Sequence, residues 1–177
     1  MNINEIIAHA YSNHEINEKL KGKYNIITYE ELNKYKTIED AIGINEGLVI
    51  LYETKHNSGH WICIFTRYNK KGQKVLSFFD PYAYNIDDQL GYIDDRFKIE
   101  NNTYYPYLSL LLYNSPLPVE YNELPLQKFA KGINTCGPWV IARLKFRNLS
   151  IREFYNLFRG NKYFTSDELV ALYALKL

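Results

Sequence analysis

The stretch HWICIFTRYNKKGQKVLSFFD, residues 60–80, decides the fold. Residues 60–68 and 74–80 are dense apolar runs rich in strand formers, and the polar NKKGQ between them carries Gly72. Two such runs joined by a short glycine-containing turn read as a β-hairpin. Upstream, GLVILYET (47–54) is a third run of the same kind. Three neighbouring strands make the core of a mixed or antiparallel sheet. Side chains alternate along a strand, so His60, Ile62 and Ile64 share one face while Trp61, Cys63 and Phe65 share the other.

Helical patterns flank the strands. Ile3, Ile6, Ile7, Ala10 and Tyr11 fall on one helical face. Thr28 with Glu31 forms a capping-box pattern opening a short helix, and TIEDAIG predicts one or two turns closed by Gly43. Residues 85–105 show no clear period, PYLSLLLY (106–113) reads as a helix, and LPLQ after it as extended. Three helices end the chain. One spans 136–148, and the others open with the boxes Ser150/Glu153 and Thr165/Glu168. Small helices, then strands, then helices predict an α+β fold with one sheet packed against a buried helix.

Composition narrows the function. The 177 residues suit one domain, 1–177, and 46% hydrophobic content fits a folded protein rather than a disordered one. A net charge of +1 gives no support for a large phosphate-binding surface, although the run from Arg143 to Arg159 leaves a local basic patch open. No window reaches the roughly 18 consecutive apolar residues of a membrane span. The N-terminus carries Glu5 and lacks a basic region, so it does not read as a secretory signal. Only two cysteines, Cys63 and Cys136, argue against a disulfide framework and for a reducing compartment.

Cys136 stands before Gly137-Pro138-Trp139 at a predicted helix start. Unpaired backbone N–H groups and the positive end of the helix dipole favour a thiolate there, and the thiolate is the nucleophile. Pro138 fits the first helical turn, where its missing N–H costs nothing. Gly137 leaves room beside Cys136 for a substrate backbone. Cys63 points away from His60 by alternation and is the poorer candidate.

A nucleophilic thiol needs a base. His9 and His14 lie in or just after the N-terminal helix, and His56 sits in a polar loop. His60 opens a strand, where a rigid scaffold presents an accessible side chain. Asp80 ends the next strand. If the two strands pair as a hairpin, Asp80 comes beside His60, where its carboxylate would fix the imidazole tautomer. For an oxyanion, the Cys136 backbone N–H is one donor. A side-chain amide would be the second, with Gln127 better placed than Asn134.

These residues carry a resemblance. GHW (59–61), FFDPY (78–82), Gln127 and TCGPW (135–139) fall in the order His, Asp, Gln, Cys. The pattern resembles the adenovirus maturation protease and the SUMO-specific proteases. It is most similar to the adenain-like proteases of large DNA viruses, virophages and Maverick/Polinton elements. The matched motifs lie between about residues 47 and 148, and the interval from Gln127 to Cys136 is longer than is usual in that family.

The resemblance implies an adenain-like cysteine protease fold. It assigns the general base to His60, the orienting acid to Asp80, the oxyanion donor to Gln127 and the nucleophile to Cys136, with Trp61 bordering the cleft. It further implies a viral maturation endopeptidase acting on capsid or core precursors, working in the virion and the host cytoplasm or viral factory. No metal or other cofactor is expected. The adenovirus relative uses a peptide and DNA as activators, and the near-neutral charge gives no support for either here. The alternatives are an isopeptidase that removes ubiquitin or SUMO, and a non-catalytic binding module on the same fold.

Overall fold

The structure, a computed structural model, describes residues 2–177. Two short helices, α1 (Ile3–Ala8) and α2 (Asn13–Lys19), precede strand β1 (Asn25–Thr28), a 3-10 turn (Tyr29–Lys34) and α3 (Ile38–Ile42). The long strands β2 (Gly47–Lys55), β3 (Ser58–Tyr68) and β4 (Lys74–Phe79) follow. A second 3-10 turn (Asp88–Tyr92), α4 (Asp95–Glu100), α5 (Tyr107–Tyr113) and strand β5 (Val119–Tyr121) lead to three closing helices. These are α6 (Cys136–Lys145), α7 (Ile151–Leu157) and α8 (Ser166–Leu175).

The strands form one mixed sheet in the order β1-β2-β3-β4-β5. Its centre, β2–β3–β4, is antiparallel, and the outer strands β1 and β5 add in parallel. Alternation along β3 divides the core in two. Trp61, Cys63 and Phe65 face Trp139, Val140, Phe154 and Val170 from the closing helices. Ile62 and Ile64 face Leu32, Ile38, Leu108 and Leu111 on the other side. The fold is therefore α+β, a mixed sheet packed on the buried helix α6, with smaller helices covering the far face. Residues Gly137–Leu144 of α6 are all buried, as a helix that is apolar around most of its circumference should be.

Arg143 is the exception within that helix. Its guanidinium is fully buried over the rings of Phe65 and Phe154, and it donates to the carbonyls of Phe146 and Leu149, each at 3.0 Å. Burial lowers its pKa to about 10. Arg147 likewise donates to the Asn45 and Thr66 carbonyls, at 2.9 and 3.1 Å. The basic run that begins at Arg143 is thus turned inward at Arg143 and Arg147, while Lys145 between them is exposed. These arginines satisfy carbonyls left open after the end of α6, before the start of β2 and within β3.

Two other expectations change. The N-terminal helical face is split, because Ser12 and Glu15 form a second capping box and start α2 anew. Strands β1 and β5 carry no sequence signal. With four and three residues they are too short for a period, and pairing with β2 and β4 is what makes them strands.

Candidate active site

Chain reversal after β4 builds the acid side of the site. Ala83 N–H donates to Asp80 O at 2.9 Å, closing a turn with Pro81 at its second position. Tyr82 N–H donates to the Asp80 carboxylate at 2.7 Å. Buried Asn122 grips the same residue, accepting from Asp80 N–H at 3.0 Å and donating to Asp80 O at 2.6 Å. Asp80 thus has little freedom to move.

His60 is placed by the tight approach of β2 and β3. A side chain at Gly59 would put its Cβ 1.9 Å from Tyr52 O, so only glycine fits before His60. The structure brings His60 and Asp80 together, with Nε2 2.9 Å from Oδ1 and both side chains buried. A carboxylate accepts, so Nε2 carries a proton and Nδ1 is the nitrogen left for the thiol. Burial opposes a charge on the ring. The Asp80 carboxylate and its hydrogen bond, with a smaller contribution from neighbouring Cys136, outweigh burial and raise the His60 pKa to about 9. The ring of Tyr82 stacks on the imidazole at 4.7 Å.

Cys136 is the first residue of α6 and is half-buried. No side chain caps this helix, because the Thr135 hydroxyl bonds to the buried Asp167 carboxylate instead. Pro138 has no N–H, so the first turn offers the N–H groups of Cys136 and Gly137. Cys63, in contrast, is fully buried under α6, and burial pushes its thiol pKa well up. His9, His14 and His56 are exposed and lie outside the cluster.

A groove of about 570 Å³ opens beside Cys136, lined by Ser58, Gly59, Trp61 and Asn134, with Tyr11 and Ser12 from the N-terminal segment. That segment is fastened to the site. Trp61 Nε1 donates to Tyr11 O at 2.9 Å, Asn134 N–H to Ile7 O at 2.8 Å, and Asn134 Nδ2 to Ala8 O at 2.7 Å. The Asn134 amide nitrogen is therefore engaged with the N-terminal segment.

Gly137 needs correction as a cleft residue. It is buried, and a Cβ there would lie 2.7 Å from the Tyr11 Cβ. The missing side chain admits Tyr11, not a substrate backbone. Gln127 is buried near the turn after β4. Its backbone N–H donates to Pro81 O at 3.0 Å and its Nε2 to the Tyr82 hydroxyl at 2.9 Å.

The sequence does not single out Tyr82, Asn122 or Asp167. Asp167 looks like an ordinary acid in a helical first turn, yet it is buried and accepts from three groups. These are the Thr135 hydroxyl, Trp139 Nε1 at 3.0 Å and Lys128 N–H at 2.9 Å. It ties α8 to the start of α6 and to the segment that carries Gln127.

No protein-family model matches the chain. In sequence it is 43% identical, over 145 residues, to the uncharacterized protein V9 of Sputnik virophage, which covers 82% of this chain and 81% of that protein. In structure it is similar to the crystal structure of the ASFV pS273R protease, with a TM-score of 0.50 at 14% identity, covering 96% of this chain and 68% of that one. At that identity the likeness establishes the fold. The chain therefore carries a viral protease fold, and by sequence it belongs to the family of the Sputnik virophage protein V9.

Proposed function

We propose that this protein is an adenain-like cysteine endopeptidase that trims capsid or core precursors during virion assembly. The observation that carries the reading is the buried His60–Asp80 pair, 2.9 Å apart, set beside Cys136 at the uncapped start of α6. The fold it shares with a viral protease and its virophage relative support the same reading.

In this reaction His60 holds the thiol proton and the Cys136 sulfur attacks the scissile carbonyl carbon. The carbonyl π electrons move to oxygen. The Cys136 N–H and a side-chain donor from the Gln127 side hold the resulting oxyanion. Collapse expels the amine, which takes its proton from His60, and leaves a thioester. Water then gives a proton to His60 as its oxygen adds to the thioester carbon. The thiolate departs and the acid product is released. Asp80 keeps the ring oriented and stabilises its charged form throughout.

Co-expression of the wild-type protein, or of Cys136→Ala, with virion structural precursors tests this, with cut sites mapped by mass spectrometry. Cuts that appear only with the wild-type protein are expected. Cleavage confined to ubiquitin or SUMO fusions run in parallel would instead make it an isopeptidase. Cuts that survive Cys136→Ala would remove the thiol from the mechanism. An absence of any cut would leave a binding module.

A further inference from the structure

Within the protease reading, the side-chain oxyanion donor is still to be assigned. Gln127 is poorly equipped for it. One amide N–H reaches the Tyr82 hydroxyl at 2.9 Å and the other faces Ile133 O at 3.4 Å. Its free polar atom is Oε1, which is buried without a partner. That atom is an acceptor, and an acceptor repels an oxyanion. Exchanging the amide's oxygen and nitrogen would set an oxygen against Ile133 O, two acceptors face to face.

Tyr82 has the complementary property. Its hydroxyl oxygen accepts from Gln127, and its own proton has no acceptor among the described residues. The ring lies flat on His60, with 20° between the planes, and the backbone N–H is fixed to Asp80. The left-handed Ala83, with φ of 58°, closes the turn that presents it. We propose that the Tyr82 hydroxyl is the second oxyanion donor, working with the Cys136 N–H, and that Gln127 is a positioning residue behind it.

An O–H whose oxygen already accepts a hydrogen bond is a stronger donor. Burial, and then the nearby Cys136, push the Tyr82 pKa up, so the phenol keeps its proton across the working pH range. FFDPY thereby acquires a second role: its aspartate orients the base, and its tyrosine receives the charge.

This inference rests on the protease reading, and its test separates the two. The probe is a proteome-derived peptide library scored by mass spectrometry, followed by kinetics on the best-cleaved peptide. Tyr82→Phe keeps the stacked ring and removes only the hydroxyl. Its kcat should fall about 10²–10³-fold with KM little changed. The rate of Cys136 alkylation by iodoacetamide should stay within about twofold of wild type, because alkylation builds no oxyanion. Gln127→Ala should lose less kcat than Tyr82→Phe.

Wild-type kcat in Tyr82→Phe overturns the Tyr82 role alone. So does a parallel fall in alkylation, which would make the hydroxyl a support for His60. A larger loss in Gln127→Ala would return the donor to the amide. A wild-type protein that cleaves no library peptide, while Cys136 still alkylates, overturns the protease reading and this role with it.

Discussion

Asp80 and Asp167 are both almost fully buried, at 1% and 4% exposure, and both flank the start of α6. Their partners differ in kind. Asp80 faces an imidazole that can gain and lose a proton. Asp167 faces a hydroxyl, an indole N–H and a backbone N–H, none of which titrates near neutral pH. The first carboxylate is coupled to a charge that would move during the reaction. The second is an anchor that joins three chain segments and leaves the helix without a side-chain cap. The comparison teaches that residue type and burial do not set the role of a buried acid. The chemistry of what it bonds to does.

The sharpest way to break this contrast is Asp80→Asn. Loss of the orienting carboxylate should lower kcat/KM by about 10²–10⁴-fold, while unfolding stays cooperative. The pH response should change as well. With His60 raised to about 9, the wild-type kcat/KM should decline as pH rises through about 9, where the ring loses the proton owed to the leaving amine. In Asp80→Asn that limb should move to lower pH. A limb that stays in place would uncouple the pair.

Stability follows the same sign. A histidine whose folded pKa exceeds its unfolded value adds stability that is complete below about pH 6.5 and is lost as pH climbs through the folded value. The wild-type Tm should therefore drop between about pH 6.5 and 9 because of His60, and Asp80→Asn should flatten that drop.

Asp167→Ala should act on stability instead. It strands three donors, and an unsatisfied buried group costs about 1–3 kcal/mol. Allowing for partial access of water, urea unfolding should show a loss of about 3–5 kcal/mol with no shift of the alkaline limb. A limb shift like that of Asp80→Asn would erase the distinction between the two acids.

Gly137→Ala, which forces a Cβ against Tyr11, should cost about 1–3 kcal/mol by overpacking, again read by urea unfolding. The smallest effect is expected for Asn134→Ala. Losing its hydrogen bond to the Ala8 carbonyl should lower stability by about 0.5–1.5 kcal/mol.

Much of this molecule is legible in its residues. Capping boxes at Ser150 and Thr165 open helices as written, because the interaction spans only three residues. The alternation in β3 assigns Cys63 and His60 to opposite faces, because a strand has no other way to dispose its side chains. The meeting of His60 and Asp80 depends on one hairpin turn between them. Gln127 is harder. Its burial and its engagement with Tyr82 depend on how residues 122–127 fold back onto the turn after β4, through Asn122 and the Pro81 carbonyl.

By itself, then, the sequence determined the local elements, the strand faces and the order of the chemistry-bearing residues, all of which follow from contacts within a few residues or from one hairpin. Only the tertiary structure decided that Gly137 makes room for Tyr11, that Asp167 is buried, that Arg143 points inward, and that Tyr82 accepts from Gln127 and stacks on His60. Each of these is a contact between segments distant along the chain, and burial of that kind is set by what packs opposite a residue rather than by the residue or its neighbours.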